Sequence, residues 1–349
     1  MKKLLIISTA LTYMLTACHS KLAPVAKDAI KPTIITEQVP NDTDDPAIWI
    51  NPKDSSQVIV IGTDKHEKTG GLYAFDMDGK IINKVVPLDR PNNVDIAYGF
   101  KMGDQTIDIA VLTERGTNKI RVFSLPDLKP LDQGGIPVFE GEQERSPMGI
   151  ALYTQQDSSA HKIYAVVGRK SGPSERYLFQ YELIWNGQAV EAEKVREFGQ
   201  YVGGKEIEAI AVDNELGYIY YSDEGYGIHK YYANPKKGNE ELALFGQKDF
   251  KSDHEGIAIY KQTDSTGYIL VSNQQNNSFN IYPREGSVEN ANQHPLLKEI
   301  PVSTIECDGA DAVSMPIGSK FPKGVLVAMS NGRVFHYYDW QLIENLLSK

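Results

Sequence analysis

A six-bladed β-propeller, and so an all-β fold, is what this sequence predicts, on two interlocking repeats and a scarcity of helical periodicity. The first repeat is a small, apolar segment that recurs six times: Asp45-Pro-Ala-Ile-Trp49, Asn93-Val-Asp-Ile-Ala97, Met148-Gly-Ile-Ala-Leu152, Glu208-Ala-Ile-Ala-Val212, Glu255-Gly-Ile-Ala-Ile259 and Asp308-Gly-Ala-Asp-Ala312. Its spacing of about 47 to 60 residues is that of four-stranded blades or slightly above it. The second repeat, after each segment, is a β-rich run, a polar loop and another β-rich run. Tyr (19) and Gly (29) are plentiful, and only a short helix near residues 339–347 is expected.

Each blade can be justified in turn. Small apolar residues suit innermost strands, because there the blades crowd a common axis. The hairpins pair residues 58–62 with 72–75, 107–112 with 120–123, 163–167 with 177–183, 217–221 with 227–232, 268–271 with 279–282, and 324–328 with 333–338. Their loops open on Thr63-Asp64-Lys65, Thr113-Glu114-Arg115, Gly168-Arg169-Lys170, Ser222-Asp223-Glu224, Ser272-Asn273-Gln274 and Ser330-Asn331. The first three blades therefore offer cations at this level and the fourth offers carboxylates. A strand near residues 33–38 is available to complete the last blade.

The strand signal runs from about residue 33 to the end of the 349-residue chain, which argues for one large domain, taken as residues 37–349. Residues 1–18 have the pattern of a signal peptide: Lys2 and Lys3, an apolar stretch from Leu4 to Leu15, then Leu15-Thr-Ala-Cys18. A small residue before Cys18 resembles a bacterial lipobox, so Cys18 is the expected lipidation site and residues 19–36 the expected tether. With His19 and Ser20 following, an extracytoplasmic protein anchored to the outer membrane is expected, facing the periplasm or the exterior. Cys307 is then left without a partner and reads as a buried thiol. A formal charge of −10 argues against a nucleic-acid partner.

The chemistry is carried by carboxylates. No G-x-S-x-G elbow, H-E-x-x-H, C-x-x-C or phosphate-binding G-x-x-x-x-G-K-S occurs, and the seven His share no ligand spacing. Five of the six repeat segments begin with Asp, Asn or Glu. Strands that converge on an axis bring those oxygens together, which suits a hard cation, Ca²⁺ best. The basic arc beside them suits a ligand that is itself an anion.

Several stretches resemble signatures of the β-propeller phytases: Asp42-Thr-Asp-Asp-Pro-Ala-Ile-Trp49, Asn92-Asn-Val-Asp-Ile-Ala-Tyr98, Asp253-His-Glu-Gly-Ile-Ala-Ile-Tyr260, Gln274-Gln-Asn-Asn-Ser-Phe-Asn-Ile-Tyr282 and Asp308-Gly-Ala-Asp311. The resemblance spans about residues 33–345. It implies a six-bladed, monomeric, 3-phytase-like phosphomonoesterase that uses several calcium ions to release phosphate from inositol hexakisphosphate or lower inositol phosphates. It assigns Asp44, Asp45, Asn92 and Asp95 to a calcium tying blades together, as its ligands or as residues that surround the ligands. Glu208, Glu224, Asp253 and Glu255 fall to catalytic calcium ions, with Asp308 and Asp311 closing the ring. Glu208, Glu224, Glu255 and Asp311 are thus the expected catalytic set, Glu224 or Asp311 being available for proton transfer. Lys65, Arg115, Arg169 and Lys170 match phosphate contacts, and a long loop makes Lys68 a competitor of Lys65.

The chain departs from that pattern at Ala97, Gly99, Met148, Ile207 and Ala209, which implies altered substrate preference or fewer calcium ions. Two other readings stay open: a non-catalytic, calcium-stabilised surface propeller that binds a partner or glycan, and a lactonase- or esterase-type six-bladed propeller. The last would need few ligands around one metal and no cationic arc.

Overall fold

The computed structural model describes residues 22–157 and 160–348; Cys18 and the expected signal peptide lie outside them. Six four-stranded antiparallel sheets form the ring. Their innermost strands are Thr43–Ile50, Pro91–Met102, Pro147–Asp157, Ile210–Asp213, Ile257–Lys261 and Ala310–Val313, on or immediately after the six repeated segments. Each expected hairpin is present, for example Val58–Asp64 with Gly70–Phe75.

The ring is closed by the N-terminal segment. Ile34–Ile35 pairs with Val334–Asp339 as the outer strand of blade six. The Thr36 hydroxyl accepts from the Phe335 amide at 2.9 Å. Upstream, Ile30 is buried and bridges Val302, and the Ala23 amide donates to the Gln275 carbonyl. The chain from Ala23 onward, within the tether expected over residues 19–36, is therefore docked on blades five and six. A two-residue strand shows no period in a sequence, which is why this edge was only approximate.

Among the described residues the core lies in six apolar clusters, one at each seam between neighbouring blades. The seam of blades six and one holds Val60, Phe75, Val327 and Phe335; that of blades five and six is capped by the helix Trp340–Leu347. Trp340 is fully buried and stacks on Tyr260, and the Asp339 carboxylate caps the helix by accepting from the Gln341 amide. Alternating side chains of each strand serve the two adjoining seams, so every blade depends on both neighbours.

The inner strands also account for two glycines, one of them the departure at Gly99. A Cβ on Gly149 would lie 1.8 Å from the Glu208 carbonyl oxygen, so this glycine lets blade three press against the backbone carrying Glu208. Gly99 has φ +74° in a bulge between Ala97 and Phe100, a conformation few side chains tolerate.

Candidate active site

Irregular chain leads into the inner strands of blades four and five through Glu206-Ile-Glu208 and Asp253-His-Glu255. Ile207 and His254 are buried between the acidic residues, and each pair presents two carboxylates together. The loop after the second strand of blade four adds Glu224. The result is two clusters whose oxygens lie within 4.8 Å of one another: Glu206, Glu208 and Glu224, and Glu224, Asp253 and Glu255. Glu224 belongs to both.

Burial makes this concentration of charge costly. Glu208, Glu224 and Glu255 are only 6%, 5% and 8% exposed. Burial, with Asp44 beside it, holds the Glu208 carboxyl well above the usual range, and burial with Asp308 does the same to Glu255. Glu224 is pushed up to about 8 by burial and then by Glu206. Its Oε1 is buried without a hydrogen-bond partner. Carboxylates in this arrangement repel unless protons or a cation neutralise them.

Around the clusters stands a fixed frame. Asn92 donates to Asp44 at 3.2 Å and to Glu208 at 3.0 Å. Gln274 donates to Glu255 at 2.9 Å and to Asp308 at 2.8 Å. Lys65 sits between Asp44, at 2.7 Å, and Asp308. Burial alone would lower the Lys65 ammonium, but Asp44, Asp308 and Glu208 outweigh it and raise it. Lys170 pairs with Glu206, and Lys205 with Asp253. Arg115 is held below its ordinary range by burial and by Arg90, with Glu206 and Glu208 opposing.

The structure thus brings together Asp44, Asn92, Glu208, Glu224, Asp253, Glu255, Asp308, Lys65 and Lys170, with Arg115 beside them. It separates others. Asp95 and Asp311 have both oxygens occupied by backbone amides: Asp95 accepts from Ile96 and Leu152, and Asp311 from Ala312 and Ile48, all at 2.7–2.8 Å. Asp45 likewise accepts from Val94 at 3.0 Å. Each of the three ties its strand to the next blade, and all three line an axial cavity of about 390 Å³. Their hydrogen bonds join blades, and they line this cavity rather than the two carboxylate clusters that hold Glu208, Glu224 and Glu255.

Arg169 is a clearer correction. It is fully buried, donating to Glu142 at 3.0 Å and to the carbonyls of Glu144, Arg176 and Tyr177, with its guanidinium 4.6 Å from the Phe139 ring centre. No phosphate can reach it. Arg169→Ala is expected to destabilise the fold by about 3 kcal/mol, by loss of a buried charged partner. Denaturant titration would measure that loss, and the KM of the folded fraction is expected to stay unchanged. Lys68 is exposed with φ +63°, and its amide donates to Asp89. Met148 is buried, and its carbonyl accepts from the Thr113 hydroxyl.

Sequence reasoning missed Lys205, Glu206 and Gln275 and placed Gln274 only at a loop opening. A signal for Glu206 was present: Glu206-Ile-Glu208 repeats, one blade earlier, the acidic pair of Asp253-His-Glu255.

A family model described as Phytase matches residues 2–336. The 3-phytase of Bacillus subtilis (strain 168) is 30% identical over 325 residues, 88% of this chain and 81% of that protein. Among solved structures, the WD40 β-propeller domain of Doa1 overlaps with a TM-score of 0.47 at 10% identity, covering 83% of this chain and 77% of that one. The mitotic checkpoint complex gives 0.49 at 12% identity, covering 96% and 99%. The strand pairing described above defines the fold by itself, and the sequence relatives define the family. On those grounds the chain belongs to the phytase family, as a 3-phytase-like hydrolase on a six-bladed β-propeller.

Proposed function

We propose that this protein is a calcium-dependent phosphomonoesterase that releases inorganic phosphate from phytate or lower inositol phosphates at the carboxylate clusters. The observation that carries this reading is the surplus of buried carboxylates shared through Glu224, one oxygen of which has no partner. The donor set is all hard oxygen, from Glu206, Glu208, Glu224, Asp253 and Glu255, and so fits Ca²⁺ better than softer metals. When bound, calcium would supply the charge that polarises phosphate oxygens and lowers the pKa of an attacking water.

The remaining work falls to the chain's own residues. Asn92, from blade two, and Gln274, from the same blade five as Glu255, hold Glu208 and Glu255 in single orientations. Arg115, whose side chain forms no ion pair among the described residues, and Lys170 stand where a phosphate would meet positive charge. Without a cation Glu224 is raised to about 8 by burial and Glu206, so it holds a proton near neutral pH that an arriving cation would displace. A polyphosphorylated ring offers several anions at once, which matches an arc of cations better than a single neutral ester would.

The test is phosphate release from phytate, and from an inositol trisphosphate, near neutral pH with calcium and with chelator. Release that requires calcium supports the proposal. No release by purified protein at saturating calcium would overturn it and leave a calcium-stabilised binding propeller. From the sequence alone, we also propose export and lipid anchoring at Cys18. Cys18→Ser is expected to move the protein from the membrane to the soluble fraction.

A further inference from the structure

Three lysines at this site share one arrangement: each is bound to a carboxylate that belongs to, or borders, a candidate cation cluster. Lys65 joins Asp44 and Asp308, Lys170 joins Glu206, and Lys205 joins Asp253. Lys65 is well enclosed, with 21% of its side chain exposed, and is fixed from two sides. Lys170 and Lys205 differ, with side chains 45% and 44% exposed and one carboxylate each. Each sits at the open rim of its cluster, where a cation and an ammonium compete for the same oxygens.

We propose that Lys205 is a substrate-binding residue that changes partner: it neutralises Asp253 in the cation-free protein and contacts a substrate phosphate once calcium takes Asp253. The inference rests on the function proposed above. The geometry supports it in two ways. Asp253 is otherwise oriented without Lys205, since Ser252 donates to its Oδ1 at 3.0 Å and Gln275 to its Oδ2 at 2.9 Å. The lysine is therefore not needed to hold the carboxylate in place. Glu224 Oε1, buried and unpartnered, lies in the same cluster, so a cation entering there gains a ligand that the ammonium does not use. Lys170 on Glu206 stands in the same relation to the first cluster. The exchange keeps both rim lysines near their final positions while preventing the acidic ring from repelling itself before calcium arrives.

The experiment compares wild-type full chain with Lys205→Met, which keeps most of the stem, and with Lys170→Met as a parallel. Calorimetry measures calcium binding alone, then binding of myo-inositol hexakissulfate, a polyanion without a hydrolysable phosphate, in calcium. Lys205→Met is expected to bind calcium about threefold more tightly, because a competing cation is gone. It is expected to bind the hexasulfate about tenfold more weakly, because a charge-assisted contact is gone. A side chain that only supports the fold would weaken both, and a solvated lysine would alter neither. Either result in a protein that still releases phosphate from phytate would overturn the inference alone. Failure of the wild type to bind calcium would overturn the proposed function with it.

Discussion

Glu208→Gln is expected to lower kcat/KM for phytate by at least about a thousandfold, the scale of losing a principal electrostatic contact at a reacting centre. Glu208 is buried, faces Glu206 and Glu224, and is held by Asn92 from another blade. Gln keeps the shape and one oxygen to accept from Asn92, so the frame survives while the charge is lost. The same substitution is expected to leave the cation-free fold as stable as wild type or more so. Burial and Asp44 already disfavour the ionised carboxyl there, and a neutral amide removes that strain. Steady-state kinetics and calorimetry together check both halves. Retention of more than a tenth of wild-type activity would contradict the role given to Glu208.

Calcium is expected to raise the melting temperature more at pH 8 than at pH 5.5, with a difference of roughly 10 °C between calcium and chelator at the higher pH. The sign follows from Glu224. Its carboxyl is raised in the fold to about 8 from an ordinary value of 4.5. A raised folded value means that this group's contribution is fully present below about 4.5 and is lost as pH climbs through 8. Glu208 and Glu255 are shifted in the same direction. The cation-free protein therefore weakens as these groups ionise, and calcium compensates most where they are ionised. Binding should also release protons near neutral pH, read as a dependence of binding heat on the buffer's ionisation enthalpy. A calcium effect equal at both pH values, or larger at pH 5.5, would contradict this picture.

The six blades were legible because the inner strands repeat a composition that only crowding at an axis requires. The acidic ring was legible because Glu208 and Glu255 each precede a small, apolar run where a solvated Glu would be out of place. Adjacent residues were harder to sort. Arg169 and Lys170 are neighbours at the end of a strand, and consecutive side chains there point to opposite sides. One is buried on Phe139 and Glu142, the other reaches Glu206. The same alternation divides Asp44, which faces Lys65, from Asp45, which accepts from Val94. Composition cannot assign such neighbours, because the choice depends on which side of the strand meets the next blade. Lys205 escaped notice for another reason: it lies in irregular chain before an inner strand, where no period marks a side.

The central claim is that cations sit among the carboxylates shared by Glu224. Anomalous diffraction from crystals of the protein grown in calcium tests it most directly. The account predicts peaks between Glu206, Glu208 and Glu224 and between Glu224, Asp253 and Glu255, with Lys205 turned away from Asp253. Crystals saturated with calcium that show no peak in either cluster, with Lys170 and Lys205 still on Glu206 and Asp253, would contradict it.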